Sequence, residues 1–156
     1  MIHSRRLFLR ATLAGGTLAT AVAAGLLMPG AVLAAWPRKA FEAQELESAL
    51  QEIAGSTALN DSDQLKLKVP DIAENGAVVS FTVSHTIKGA ESLSILVAEN
   101  TSKLAASYQL SDRINSFVTG RIKMRKTSEV IAVIKAGDKL YSTRGTVKVT
   151  LGGCGG

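Results

Sequence analysis

From Leu65 to Leu151 apolar residues alternate with polar ones at a period of two, and this pattern constrains the fold more than any other feature of the chain. Leu65, Leu67 and Val69 stand between Lys66 and Lys68 up to Pro70. After an Asn75-Gly76 turn, Val79, Phe81, Val83, His85 and Ile87 stand between Ser80, Thr82, Ser84 and Thr86. Successive side chains of a strand point to opposite faces, so each run offers one apolar face to a core and one polar face to water. Further strands are predicted over 93–98, 104–110, 117–124, 129–135, 139–143 and 146–151, with Ala136-Gly137-Asp138 and Arg144-Gly145 as the last two turns. About eight short strands at this spacing imply an immunoglobulin-like antiparallel β-sandwich, a mainly β fold.

Ahead of the strands the period changes to that of a helix. Residues 41–53 predict one N-terminal helix, with Ala43, Leu46, Leu50 and Ile53 on one face, the acids Glu42, Glu45 and Glu47 near its start and Gly55 to cap its end. A chain of 156 residues allows one domain, a 46% apolar share is ample for one core, and with only 4% aromatic residues that core must be made mostly of Val, Ile, Leu and Ala.

Residues 1–35 read as a targeting segment. Ser4-Arg5-Arg6-Leu7-Phe8-Leu9-Arg10 is a twin-arginine signature, with Arg5 and Arg6 as the export signal. A weakly apolar run from Ala11 to Leu27 follows, then Pro29 and the small-residue end Val32-Leu33-Ala34-Ala35. Cleavage after Ala34 or Ala35 leaves a mature protein in the periplasm, with a domain over 36–151; the competing reading is an uncleaved membrane anchor. Three of the five net positive charges belong to this leader, as Arg5, Arg6 and Arg10, which gives no case for nucleic-acid binding. No haem-attachment, dinucleotide or phosphate-loop motif is present, so no cofactor is expected, and export together with a partner better explains the twin-arginine route.

Two features inside the domain have modest readings. His85 falls on the apolar side of its strand, where a hydrogen-bonded core-edge histidine is the first expectation and a catalytic role the second. Arg121, Lys123, Arg125 and Lys126 interleave with Ile122 and Met124, so they form a solvated face first and a docking surface for an acidic partner or sulfur oxyanions second.

The residues 152–156 remain. Cys154, the only cysteine, stands between Gly152, Gly153, Gly155 and Gly156. Four glycines specify no single conformation and add no girth, so the stretch reads as a thin, flexible arm. Three extended residues past Leu151 carry the sulfur about 10 Å from the domain. A lone cysteine cannot make an internal bridge and supplies only one metal ligand, so no metal site is expected. A covalent attachment point, an interchain disulfide of a structural or assembly module, and an incidental exposed thiol are the readings left open.

These five residues, preceded by Val147-Lys148-Val149-Thr150-Leu151, closely resemble the C-terminus of the SoxY family, the sulfur carrier subunits of the bacterial thiosulfate-oxidising system. Ile72-Ala73-Glu74-Asn75-Gly76-Ala77-Val78-Val79 and Thr119-Gly120-Arg121-Ile122-Lys123-Met124 resemble its early and later segments. The resemblance implies that Cys154 is the covalent substrate attachment site and the flanking glycines its carrier arm, on a protein that is no enzyme itself. It also implies a heterodimer with SoxZ and transient docking to SoxAX, SoxB and, where present, SoxCD.

Overall fold

The computed structural model describes residues 37–111 and 117–150. The leader with Arg5 and Arg6, and the arm with Gly152, Gly153, Cys154, Gly155 and Gly156, lie outside the described residues. Among the described residues two short helices, α1 (Arg38–Glu42) and α2 (Leu46–Ala54), precede β1 (Asn60–Asp61), β2 (Leu65–Lys68), β3 (Ile72–Ala73), β4 (Val79–His85), β5 (Ser92–Val97), β6 (Leu104–Gln109), β7 (Phe117–Ile122), β8 (Ser128–Ala136) and β9 (Lys139–Val149).

The strands form the expected mainly β sandwich. The larger sheet runs β1-β9-β8-β5-β6, with β3 also on β9, and the smaller runs β2-β4-β7. Pairing is antiparallel except for β1 and β3, two-residue strands lying parallel to β9. Leu65, Phe81 and Val83 of the small sheet meet Leu93, Ile95, Val130, Ala132 and Ile134 of the large one in the core. Full burial of each of these side chains other than Ala132 contributes about 1.5–3 kcal/mol. A second core lies on the outer face of the large sheet, where Leu96, Ile131 and Val133 pack with Ala40, Ala49 and Leu50 of the helices. Being covered on both faces, β5 and β8 read as nearly continuous apolar runs rather than alternating ones.

Three expectations change in detail. The single helix over 41–53 is divided, because Ala43 is extended (φ −66°, ψ 127°). Its carbonyl accepts the Lys103 amide at 3.3 Å, and the Phe41 carbonyl accepts the Ser102 hydroxyl, so the segment is spent on tying the helices to the loop after β5. The periodic set survives the break: Ala43, Leu46, Leu50 and Ile53 all join the second core. Gly55 ends α2 as expected, left-handed at φ 71°, its amide on the Gln51 carbonyl.

The predicted turn at Arg144-Gly145 is absent. The ladder runs straight through it, Arg144 pairing with Ile131 and Gly145 with Val130, so the last two predicted strands are one. The glycine serves a close approach instead: a Cβ at Gly145 would stand 2.8 Å from Val69 Cγ2. His85, the third case, is half-buried at the end of β4, opposite Leu65, and its buried Nδ1 has no hydrogen-bond partner among the described residues.

Candidate functional site

In sequence Cys154 follows the end of β9, so the described residues nearest this candidate attachment point are those that hold the end of that strand, the root of the expected arm. Up to Val147, which pairs with Ser128 and is fully buried, β9 is held by β8. Beyond that point the support changes. Ile72 and Ala73 of β3 pair with Lys148 and Val149, and the amides of Lys148 and Thr150 donate to the carbonyls of Asp71 (2.9 Å) and Ala73 (3.1 Å). The Val149 amide, pointing the other way, donates to Thr127 Oγ1 at 3.0 Å. Three consecutive amides are therefore satisfied after the main ladder ends. A strand that frayed there would expose them to water; this one is fixed through Thr150.

Gly76 closes the clamp. Its carbonyl accepts the Met124 amide at 2.7 Å, and a Cβ on it would fall 2.4 Å from the Met124 carbonyl oxygen and 2.9 Å from Val149 Cγ1. Asn75 shapes the approach, accepting the amide of Ala77 on Oδ1 and that of Val78 on its carbonyl. The Asn75-Gly76 turn is thus present, but its glycine is required by the closeness of two backbones and not by a positive φ.

The loop after β5 braces the same end. Asn100 Nδ2 donates to the Lys123 carbonyl (2.7 Å), and its Oδ1 accepts the Arg125 amide. Ser128 Oγ accepts the Glu99 amide, and Arg125 Nη1 donates to Thr101 Oγ1. Glu99 and Lys126 pair at 2.7 Å, and the hydrogen bond from Lys126 holds the Glu99 carboxyl below the usual range. Of the basic run, all four side chains are exposed while Ile122 and Met124 are buried, the expected solvated face. Two of the four are engaged at the root end, Lys126 with Glu99 and Arg125 with Thr101.

The structure does not bring His85 to the root. It lies six residues along β4 from Val79, about 20 Å away. An open cleft beside β1 is lined by Asp61, Ser62, Asp63, Ser142, Thr143 and Arg144, where Ser142 Oγ donates to Asp61 at 2.6 Å and Arg144 faces Glu129 at 3.9 Å. Within that lining Asp61 and Ser142 satisfy each other. Among the described residues no cluster of three or more His, Cys, Asp or Glu could hold a metal ion, and no helix is long and apolar enough to cross a membrane. Sequence reasoning missed β3, Thr127 and the packing role of Gly76. The available signal was Pro70 followed by a short apolar pair, which ends one strand and opens another too brief to show a period.

Comparison with known proteins gives the family of the chain. The family model described as "Sulfur oxidation protein SoxY" matches residues 50–154. The solved structure of the sulfur carrier protein SoxY from Chlorobium limicola f thiosulfatophilum is 38% identical, with a TM-score of 0.62 over 69% of this chain and 97% of that one. The superoxide reductase (neelaredoxin) of Ignicoccus hospitalis shares the fold alone, at 13% identity and a TM-score of 0.51 over 59% of this chain and 94% of its own. No curated protein matches the sequence. The family match spans the strands, the clamp and the segment up to the cysteine, and the chain belongs to the SoxY family of sulfur oxidation proteins, whose members act as sulfur carriers.

Proposed function

We propose that this protein is a periplasmic carrier that holds thiosulfate-derived intermediates covalently on Cys154 and presents them to partner enzymes during oxidation of thiosulfate to sulfate. The observation that carries the reading is the clamped root: β9 is fixed through Thr150, four residues short of the only cysteine, and those residues include Gly152 and Gly153. A fixed base with a narrow tip sweeps a small volume reproducibly, which suits delivery of one sulfur into several active sites.

The chemistry balances on the sulfur of Cys154. Loading joins thiosulfate to the thiol as Cys-S-S-SO3⁻, releasing one proton and two electrons to a haem partner of the SoxAX type. Hydrolysis by a SoxB-type partner then releases sulfate and a proton and leaves the persulfide. Where a SoxCD-type partner is present, it takes six electrons from the outer sulfur, three waters supplying its oxygens. A second hydrolysis releases the resulting sulfonate as sulfate and restores the thiol. The protein contributes no acid, base or metal to these steps; the S–S bond retains the intermediate, and a compartment outside the reducing cytosol preserves it. Arg5 and Arg6 direct export by the twin-arginine route, and a SoxZ-type subunit travels with the chain as its heterodimer partner.

The variant Cys154→Ser tests this directly. It is expected to abolish thiosulfate-dependent turnover in the reconstituted system while leaving the circular dichroism spectrum and the urea midpoint unchanged. Normal turnover would refute the carrier role. A wild-type protein that runs only as a reducible covalent dimer, and accepts no sulfur adduct, would assign the thiol to an interchain disulfide instead.

A further inference from the structure

The residues that surround the arm root include two of the three large apolar side chains most exposed among the described residues. Ile72 is 58% exposed and Val78 is 53% exposed, and both belong to the segment that clamps β9. Scattered exposed apolar residues are ordinary, but these two share one short segment on either side of the Gly76 contact. Ile72 is paired across the β3–β9 ladder with Lys148, itself exposed. Lys123 and Arg125, on the loop that accepts Gly76, are exposed too, whereas the charge of Lys126 is met by Glu99. Asp71 and Glu74 are the acids of the same segment, so cations hold a slight excess at this end.

The length of the arm decides what must lie here. Cys154 is four residues beyond Thr150, and an extended chain spans at most about 3.6 Å per residue, so the Cα of Cys154 can lie no more than about 14 Å from the last clamped residue, with the sulfur one side chain further. An enzyme that takes this sulfur into a channel must bring the channel mouth to within that reach. Its rim therefore meets the end of the sandwich that carries Ile72 and Val78.

We propose that Ile72 and Val78, with Lys148 across the ladder from Ile72, form the docking patch for the channel rim of the enzymes that receive Cys154, a protein surface with an apolar contact flanked by acidic groups. The inference rests on the carrier reading above. Its energetic demand is modest: the complex must form and part at every step, so a small apolar contact that gives orientation suits it better than a large one. Phe117, the third exposed apolar side chain, serves as an internal control. It pairs with Ser84 at the far end of β4, beyond the reach of the arm.

The test uses the carrier as it is isolated, with any subunit that co-purifies, loaded at Cys154 with tetrathionate. In that step the thiolate displaces thiosulfate from the disulfane chain and becomes Cys-S-S-SO3⁻. Hydrolysis of the loaded carrier by a SoxB-type enzyme is then followed over a range of carrier concentrations. The double variant Ile72→Thr/Val78→Thr keeps β-branched side chains on an exposed surface, and is expected to raise KM for the carrier about tenfold with kcat and the tetrathionate loading rate unchanged. Ile72→Leu/Val78→Ile should restore the wild-type KM, and Phe117→Ser should leave it unchanged. An unaltered KM in the double variant, or an equal rise with Phe117→Ser, would overturn the proposal. Loss of the co-purifying subunit in the double variant would also overturn it, by assigning the patch to the subunit interface. Failure of the carrier reading looks different, because the loaded wild-type protein would then release no sulfate at all.

Discussion

The two ends of the sandwich use glycine for opposite reasons. At the far end, Gly137 makes the hairpin between β8 and β9 at φ 58°, and a Cβ there would meet nothing within 4 Å. At the arm root, Gly76 has no positive φ, yet a Cβ would collide with the Met124 carbonyl at 2.4 Å. One glycine sets a backbone angle in open space; the other lets two backbones touch. The far end is an open turn, while the Gly76 contact is a packed joint that holds the end of β9. On the carrier reading proposed above, the difference matters because a shift in backbone position at the root would carry through to Cys154.

The comparison is broken most forcefully by exchanging the glycines. Gly76→Ala is expected to destabilise the fold by about 3 kcal/mol, because a carbonyl oxygen and a packed valine must both give way. Gly137→Ala should cost about 1 kcal/mol, the strain of a left-handed alanine. Urea unfolding of the two variants measures both, and equal losses would show that Gly76 acts as a turn residue after all.

Thr127→Val probes the root without disturbing its packing. It deletes the acceptor of the Val149 amide while keeping the side-chain shape, and should cost about 1 kcal/mol because that amide must turn to water. Amide hydrogen exchange should quicken at Val149 and remain unchanged at Val133, in the centre of β8. Equal protection at Val149 in variant and wild type would mean that β3 alone holds the arm base.

Much of this was legible in the sequence. Alternation located β2, β4 and β7, whose outer faces meet water, and the fold class followed from their spacing with the later strands. The cysteine between glycines, together with the resemblance of the last ten residues to one family, pointed to a carrier arm that lies outside the described residues. What the sequence concealed has physical causes. Gly145 resembles a turn because local chemistry cannot distinguish a glycine that bends the chain from one that admits Val69 from the other sheet. The division between α1 and α2 is imposed by the Lys103 and Ser102 contacts, about sixty residues away in the chain. The clamp at the root is tertiary throughout: β3 is two residues long, and the hydroxyl of Thr127 matters only because β9 passes beside it.

The central claim is that Cys154 carries sulfur between enzymes, and the intact mass of the protein purified from cells oxidising thiosulfate tests it most directly. We expect a reductant-labile increment on the peptide containing Cys154, matching a thiosulfonate or one added sulfur atom and disappearing when thiosulfate is withheld. An unmodified thiol under the same conditions, or a covalent dimer as the only oxidised form, would contradict it.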